Sequence, residues 1–170
     1  MTNLLRMTLA ASVAALTLTS APAAAAPTGS SNGAATARAR IVKPLTLTRT
    51  ANMDFGDIVV QDAGVATLTM GGALSCTGGL TCATTGTAAA YLVTGTNNQV
   101  VTVTAPDVSL INAANPGTPL TLDLTAPTTV TLPNSGASGL NFSVGGSIAI
   151  AATTREGVYT GDLAVTVDYQ

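Results

Sequence analysis

The chain has 170 residues, only 8% of them charged, a net charge of −2, and neither histidine nor tryptophan. So sparse a set of cations excludes a nucleic-acid footprint, and the missing histidine removes the commonest general base and a frequent metal ligand. Val, Thr, Ala, Leu and Gly dominate instead, with Gly and Pro between short alternating runs, a composition that predicts an all-β protein.

At the amino end Arg6 precedes an apolar run, Met7 to Leu18, that is too short to span a bilayer, and small residues from Ser20 to Ala26 follow it. This is the pattern of a signal peptide with A-x-A cleavage sites. Cleavage is expected after Ala25, with Ala23 the alternative, so residues 1–25 are assigned to the signal peptide. No cysteine stands at this junction, which argues against a lipoprotein, and no later stretch is long and apolar enough for a membrane helix. The expected route is export through the periplasm to the cell surface or the medium. The remaining 145 residues carry five basic and eight acidic side chains, a net charge of −3, and suffice for one domain with its own core.

Residues 26–44 form a leader. Ala26 to Gly33 are small and polar and are expected to be flexible. Ala35, Ala37, Ala39 and Ile41 then alternate with Thr36, Arg38, Arg40 and Val42, the pattern of a strand, until Lys43-Pro44 interrupts it. This first segment is the candidate donor strand, and a second begins at Leu45-Thr-Leu47-Thr48. Residues 45–170 are read as a β-sandwich domain, with strands expected over 53–60, 64–70, 87–94, 99–105, 120–124, 128–132, 140–144, 147–153 and 158–169. Asn97-Asn98 and Asp62-Ala63-Gly64 supply turn chemistry that tolerates positive φ. Between Leu140-Asn-Phe142-Ser-Val144 and Ile148-Ala-Ile150, the glycines of Gly145-Gly146-Ser147 predict a three-residue hairpin loop that pairs Val144 with Ile148.

Cys76 and Cys82, the only cysteines, bracket Thr-Gly-Gly-Leu-Thr. In an exported chain they are expected to form a disulfide stapling a Gly-rich loop, with too few partners for a zinc site.

The last fourteen residues set Tyr159, Gly161, Leu163, Val165, Val167 and Tyr169 on one face, the signature of a half-buried strand. An apolar strand at the carboxy end has no following strand to cover it, so another segment is expected to complete the fold. This ending, with penultimate Tyr169 and with Gly157 fourteenth from the end, resembles the carboxy-terminal signature of chaperone–usher pilins. The run Ala37 to Thr48, together with Met53-Asp-Phe55-Gly56-Asp-Ile58, Phe142-Ser-Val144-Gly145-Gly146, Gly157-Val-Tyr159-Thr-Gly161 and Val165-Thr-Val167-Asp-Tyr169, resembles a bacterial family of secreted domains of unknown function, family 4402. The Phe55-Gly56 turn is similar to one in spore-coat-protein-U-type domains. These resemblances imply an immunoglobulin-like Greek-key sandwich completed by an N-terminal donor strand. They also imply a periplasmic chaperone and an outer-membrane usher as partners, with Gly157, Tyr159, Leu163, Val165, Val167 and Tyr169 on the strand that the chaperone recognises. Placing both cysteines in one loop departs from pilins that staple their early strands.

Catalysis has little to draw on. The eight carboxylates are scattered, Asp54 and Asp57 around Gly56 fall short of the six or more oxygens a hard cation takes, and no cofactor is implied. A carbohydrate-binding module would expose aromatic platforms, yet the five aromatics, Phe55, Tyr91, Phe142, Tyr159 and Tyr169, fall mostly on inward-pointing positions. The expected function is therefore a structural subunit of a surface fimbria, assembling with neighbouring copies by donor-strand exchange and serving adhesion or biofilm formation. The alternative is a self-complemented monomer that binds surface carbohydrate or protein.

Overall fold

Residues 35–134 and 138–170 are described by the structure, a computed structural model, and among them there are thirteen antiparallel strands and no helix. The expected signal peptide, residues 1–25, and the first part of the expected leader lie outside these residues. β1 (Thr46–Ala51) starts two residues after Pro44, where a missing backbone N–H no longer interrupts the ladder. It pairs with β6 (Ala89–Thr94), which pairs in turn with the first half of β11 (Leu140–Ile150). The second half of β11 lies between β3 (Gly64–Leu68) and β9 (Leu120–Thr125), and β9 continues the sheet to β8 (Val108–Asn112) and β12 (Tyr159–Thr160). β4 (Leu74–Cys76) hangs on β3. A second sheet joins β10 (Thr129–Thr131), β7 (Val100–Thr104) and β13 (Thr166–Tyr169), and a third pairs β2 (Ile58–Val60) with β5 (Leu80–Cys82).

The buried side chains fall into two clusters, and β11 supplies both. Phe142 and Val144 join Tyr91, Val93, Val101, Val103 and Leu132 in the first, and Ile148 and Ile150 join Ala66, Leu80, Leu110 and Leu122 in the second. Within the first, Tyr91 and Phe142 stack with ring centroids 5.6 Å apart, a geometry that adds to their burial. Burial pushes the Tyr91 hydroxyl above the usual phenol range, with Arg49 pulling weakly the other way.

The expected hairpin at Gly145-Gly146-Ser147 is therefore corrected: residues 140–150 are one continuous strand. From Phe142 onward its even-numbered positions, Phe142, Val144, Gly146, Ile148 and Ile150, are all buried and Leu140 is half-buried, so a single period of two runs through the glycines without a slip. Neither glycine has positive φ, as a left-handed loop position would require. The glycines answer a different need, close approach of neighbouring backbone. A Cβ on Gly145 would lie 2.8 Å from Met70 N, and one on Gly146 would lie 2.8 Å from the Asp123 carbonyl oxygen.

Three strands were not anticipated. β8 was hidden because Leu110 and Ile111 are adjacent apolar residues, which blurs a period of two; only Val108, Leu110 and Asn112 face inward. β4 and β5 lie in what reads as a Gly-rich loop. The Cys76–Cys82 disulfide is formed, with Cα atoms 5.7 Å apart, and ties β4 to β5. Through it the small β2–β5 sheet is bonded to the main sheet at β3.

The strand expected over 158–169 is two short ones, β12 on β8 and β13 on β7, so the segment passes from one sheet to another. Its alternation nevertheless holds: Tyr159, Leu163, Val165, Val167 and Tyr169 are half-buried and the even positions exposed. Residues 35–39 belong to a separate unit from the domain that begins at Arg40. No strand is assigned between residues 35 and 45, and Ile41 is 93% exposed.

Two outcomes follow from this architecture. Gly145→Asn, tolerable at a left-handed loop position, should cost about 1–3 kcal/mol by overpacking in mid-strand, read as a lower urea midpoint; unchanged stability would restore the loop. Replacing Cys76 and Cys82 together by Ser opens a short loop, so the loss should sit near the lower end of about 2–4 kcal/mol, measured by thermal unfolding with and without reductant.

Candidate functional site

A cleft of about 930 Å³ opens beside the second cluster. One wall is the run Met53 to Ile58 leading into β2, and the other is the run Thr154 to Leu163 containing β12. The floor is apolar, with Leu110, Leu122, Ile148 and Ile150 all 8% exposed or less. Each wall has an unused strand edge: β2 pairs only with β5 and β12 only with β8. Unpaired edges leave backbone N–H and C=O groups open to another extended chain.

The first wall is shaped by Asp54, whose carboxylate accepts a hydrogen bond of 2.8 Å from the Gly56 backbone N–H, and by mutual backbone bonds between Asp54 and Thr87. Met53, Phe55 and Ile58 turn toward the core, while Asp54 and Asp57 stay exposed at the rim.

The second wall depends on Asn112, the buried polar residue at the end of β8, which is 2% exposed. Its side-chain N–H donates to the Glu156 carbonyl at 3.0 Å, and its side-chain oxygen accepts from the Ala114 backbone N–H at 3.0 Å. Gly157 sits directly against it with φ of 137°, and a Cβ there would run into the Asn112 amide. So Gly157, expected from the pilin-like signature, has a local reason to be glycine. Tyr159 follows, its hydroxyl donating to the Arg155 carbonyl at 2.9 Å.

The expected site residues thus separate into groups. Gly157, Tyr159, Gly161 and Leu163 line the cleft. Val165, Val167 and Tyr169 do not; they pack on the first cluster, with Leu163 touching both. Tyr169 is the anchor of this part: its hydroxyl donates to the Lys43 carbonyl and accepts from the Thr96 backbone N–H, each at 2.7 Å. Lys43 N–H in turn donates to Thr96 Oγ1 at 2.6 Å, and Arg40 Nη1 donates to the Gln170 carbonyl at 3.0 Å. Ala35, Ala37, Ala39 and Ile41 are exposed and outside any sheet. Sequence reasoning missed Asn112 and the floor. The signal for Asn112 was a lone amide on the inward face of Val108-Ser-Leu110-Ile-Asn112.

The described residues contain no group of three or more His, Cys, Asp or Glu placed to hold a metal ion, and no helix long and apolar enough to cross a membrane.

The sequence profile of the domain of unknown function DUF4402 matches residues 45–169, from the residue after Pro44 to the penultimate tyrosine. The chain belongs to this family. Both cleft walls, the floor and Asn112 fall inside the DUF4402 domain, and the leader segment precedes it. No curated protein and no solved structure shows a significant match.

Asn112→Ala should strand the Glu156 carbonyl and the Ala114 N–H and cost about 1–3 kcal/mol. Hydrogen exchange should show faster opening of residues 156–160 before global unfolding. Unaltered protection there would mean that Asn112 does not hold this wall.

Proposed function

We propose that the protein is a structural subunit of a cell-surface filament, an immunoglobulin-like Greek-key sandwich joined to its neighbours by donor-strand exchange. The observation that carries this reading is the pairing of an apolar-floored cleft, flanked by two unused strand edges, with an exposed, unpaired, alternating segment at Ala35, Ala37, Ala39 and Ile41. A strand laid into such a cleft gains backbone hydrogen bonds from the edges and buries every second side chain. Alanines suit a floor already nearly closed to water, and Ile41 is the large anchor.

Association, and not chemistry, is the activity. The partners are neighbouring copies of the chain or other pilus subunits. The signal peptide and the pilin-like ending add a periplasmic chaperone and an outer-membrane usher, with adhesion or biofilm formation as the outcome at the surface. A scaffold role is favoured over sugar binding because all five aromatic residues are buried or half-buried, leaving no exposed ring platform. The proximity of the leader's last residues to Tyr169 and Gln170 keeps a self-complemented monomer as the second reading.

The test is a mature chain carrying Ile41→Cys and Leu163→Cys. Ladders of cross-linked oligomers are expected on non-reducing gels, whereas links confined to single chains would establish self-complementation and end the filament reading. In chains without the added cysteines, Ile41→Ala should weaken association by about 2 kcal/mol, roughly 30-fold.

A further inference from the structure

We infer that the cleft selects its strand by charge as well as by shape, its acidic rim being matched to the basic leader of another copy. The inference rests on the filament reading above and deepens it. The charges of the chain are strongly segregated: all eight acidic side chains lie at Asp54 or beyond, and Arg38, Arg40 and Lys43 fall within six residues of the leader. The cleft rim carries Asp54, Asp57 and Glu156 against the single cation Arg155, all four exposed above the apolar floor.

The alternation of the leader keeps its two arginines clear of the apolar floor. An extended strand that turns Ala37, Ala39 and Ile41 to the floor points Arg38 and Arg40 the other way, two residues or roughly 6.6 Å apart, toward the rim. Exposed ion pairs add little affinity individually. Their effect is on encounter and specificity: opposite potentials raise association rates tenfold or more, and salt screens them.

Within one chain the Arg40 guanidinium donates to the Gln170 carbonyl, and the Lys43 backbone is held by Tyr169 and Thr96, and none of these three partners lines the cleft. A second copy is therefore the occupant the charges fit.

Two mature chains test this. One carries Arg38→Glu and Arg40→Glu, which sets an acidic leader against an acidic rim. The other carries Asp57→Lys and Glu156→Lys, which sets a basic leader against a basic rim. Asp54 is left intact because its carboxylate holds the Gly56 N–H. By light scattering at low salt, each chain alone should assemble at least tenfold more slowly than the unaltered chain. Mixed one to one, every leader meets a complementary cleft, and assembly should return to near the original rate. Added sodium chloride should slow the unaltered chain and the mixture while relieving each single variant. Rescue on mixing also excludes misfolding as the cause of the slow rates. Two variants that assemble normally alone, or that mixing does not rescue, overturn charge selection; if Ile41→Asp then still stops assembly, the filament reading survives. An unaltered chain that stays monomeric overturns both.

Discussion

Gly145 and Gly146 allow β11 to pass unbroken from one hydrophobic cluster to the other, and the rest of the domain is hung on that passage. Phe142 and Val144 face the cluster shared with the second sheet, while Ile148 and Ile150 floor the cleft. A Cβ at either glycine would meet the backbone of β3's exit or of β9, so the strand could keep its inward register only by bending away from its neighbours. A one-residue slip would turn both apolar pairs outward at once. Fold and cleft are thus consequences of one register.

Much of this was legible because a period of two is robust to interruption. The alternation from Tyr159 to Tyr169 was readable although the segment leaves one sheet for another, since inward and outward positions are kept across the unpaired residues between β12 and β13. The Asn97-Asn98 turn was also readable: Asn98 takes a φ of 55°, a conformation that asparagine tolerates better than most residues. The hairpin reading at Gly145 failed for a physical reason. Glycine marks both positive φ and close backbone approach, and a one-dimensional string does not separate the two.

The candidate site was half visible. Its carboxy-terminal wall announced itself through Gly157, Tyr159 and Leu163, but the floor comes from Leu110, Leu122, Ile148 and Ile150. Those side chains are contributed by three strands distant in sequence, and nothing local distinguishes them from ordinary core. Asn112 was obscured in the same way: its function is to satisfy the Glu156 carbonyl, a partner 44 residues away. The disulfide was legible as a bond, but its architectural effect was not, because β2's dependence on β5 emerges only from pairing.

The Tyr169 clasp has a mechanical consequence for a chain that is pulled by its leader. Tension arriving at Lys43 meets the Tyr169 hydroxyl and Thr96 Oγ1 before it reaches the first β1 pair, Thr46 with Thr94. The load is divided between the penultimate residue of the chain and the turn between β6 and β7, so β1 cannot begin to peel until both attachments have parted.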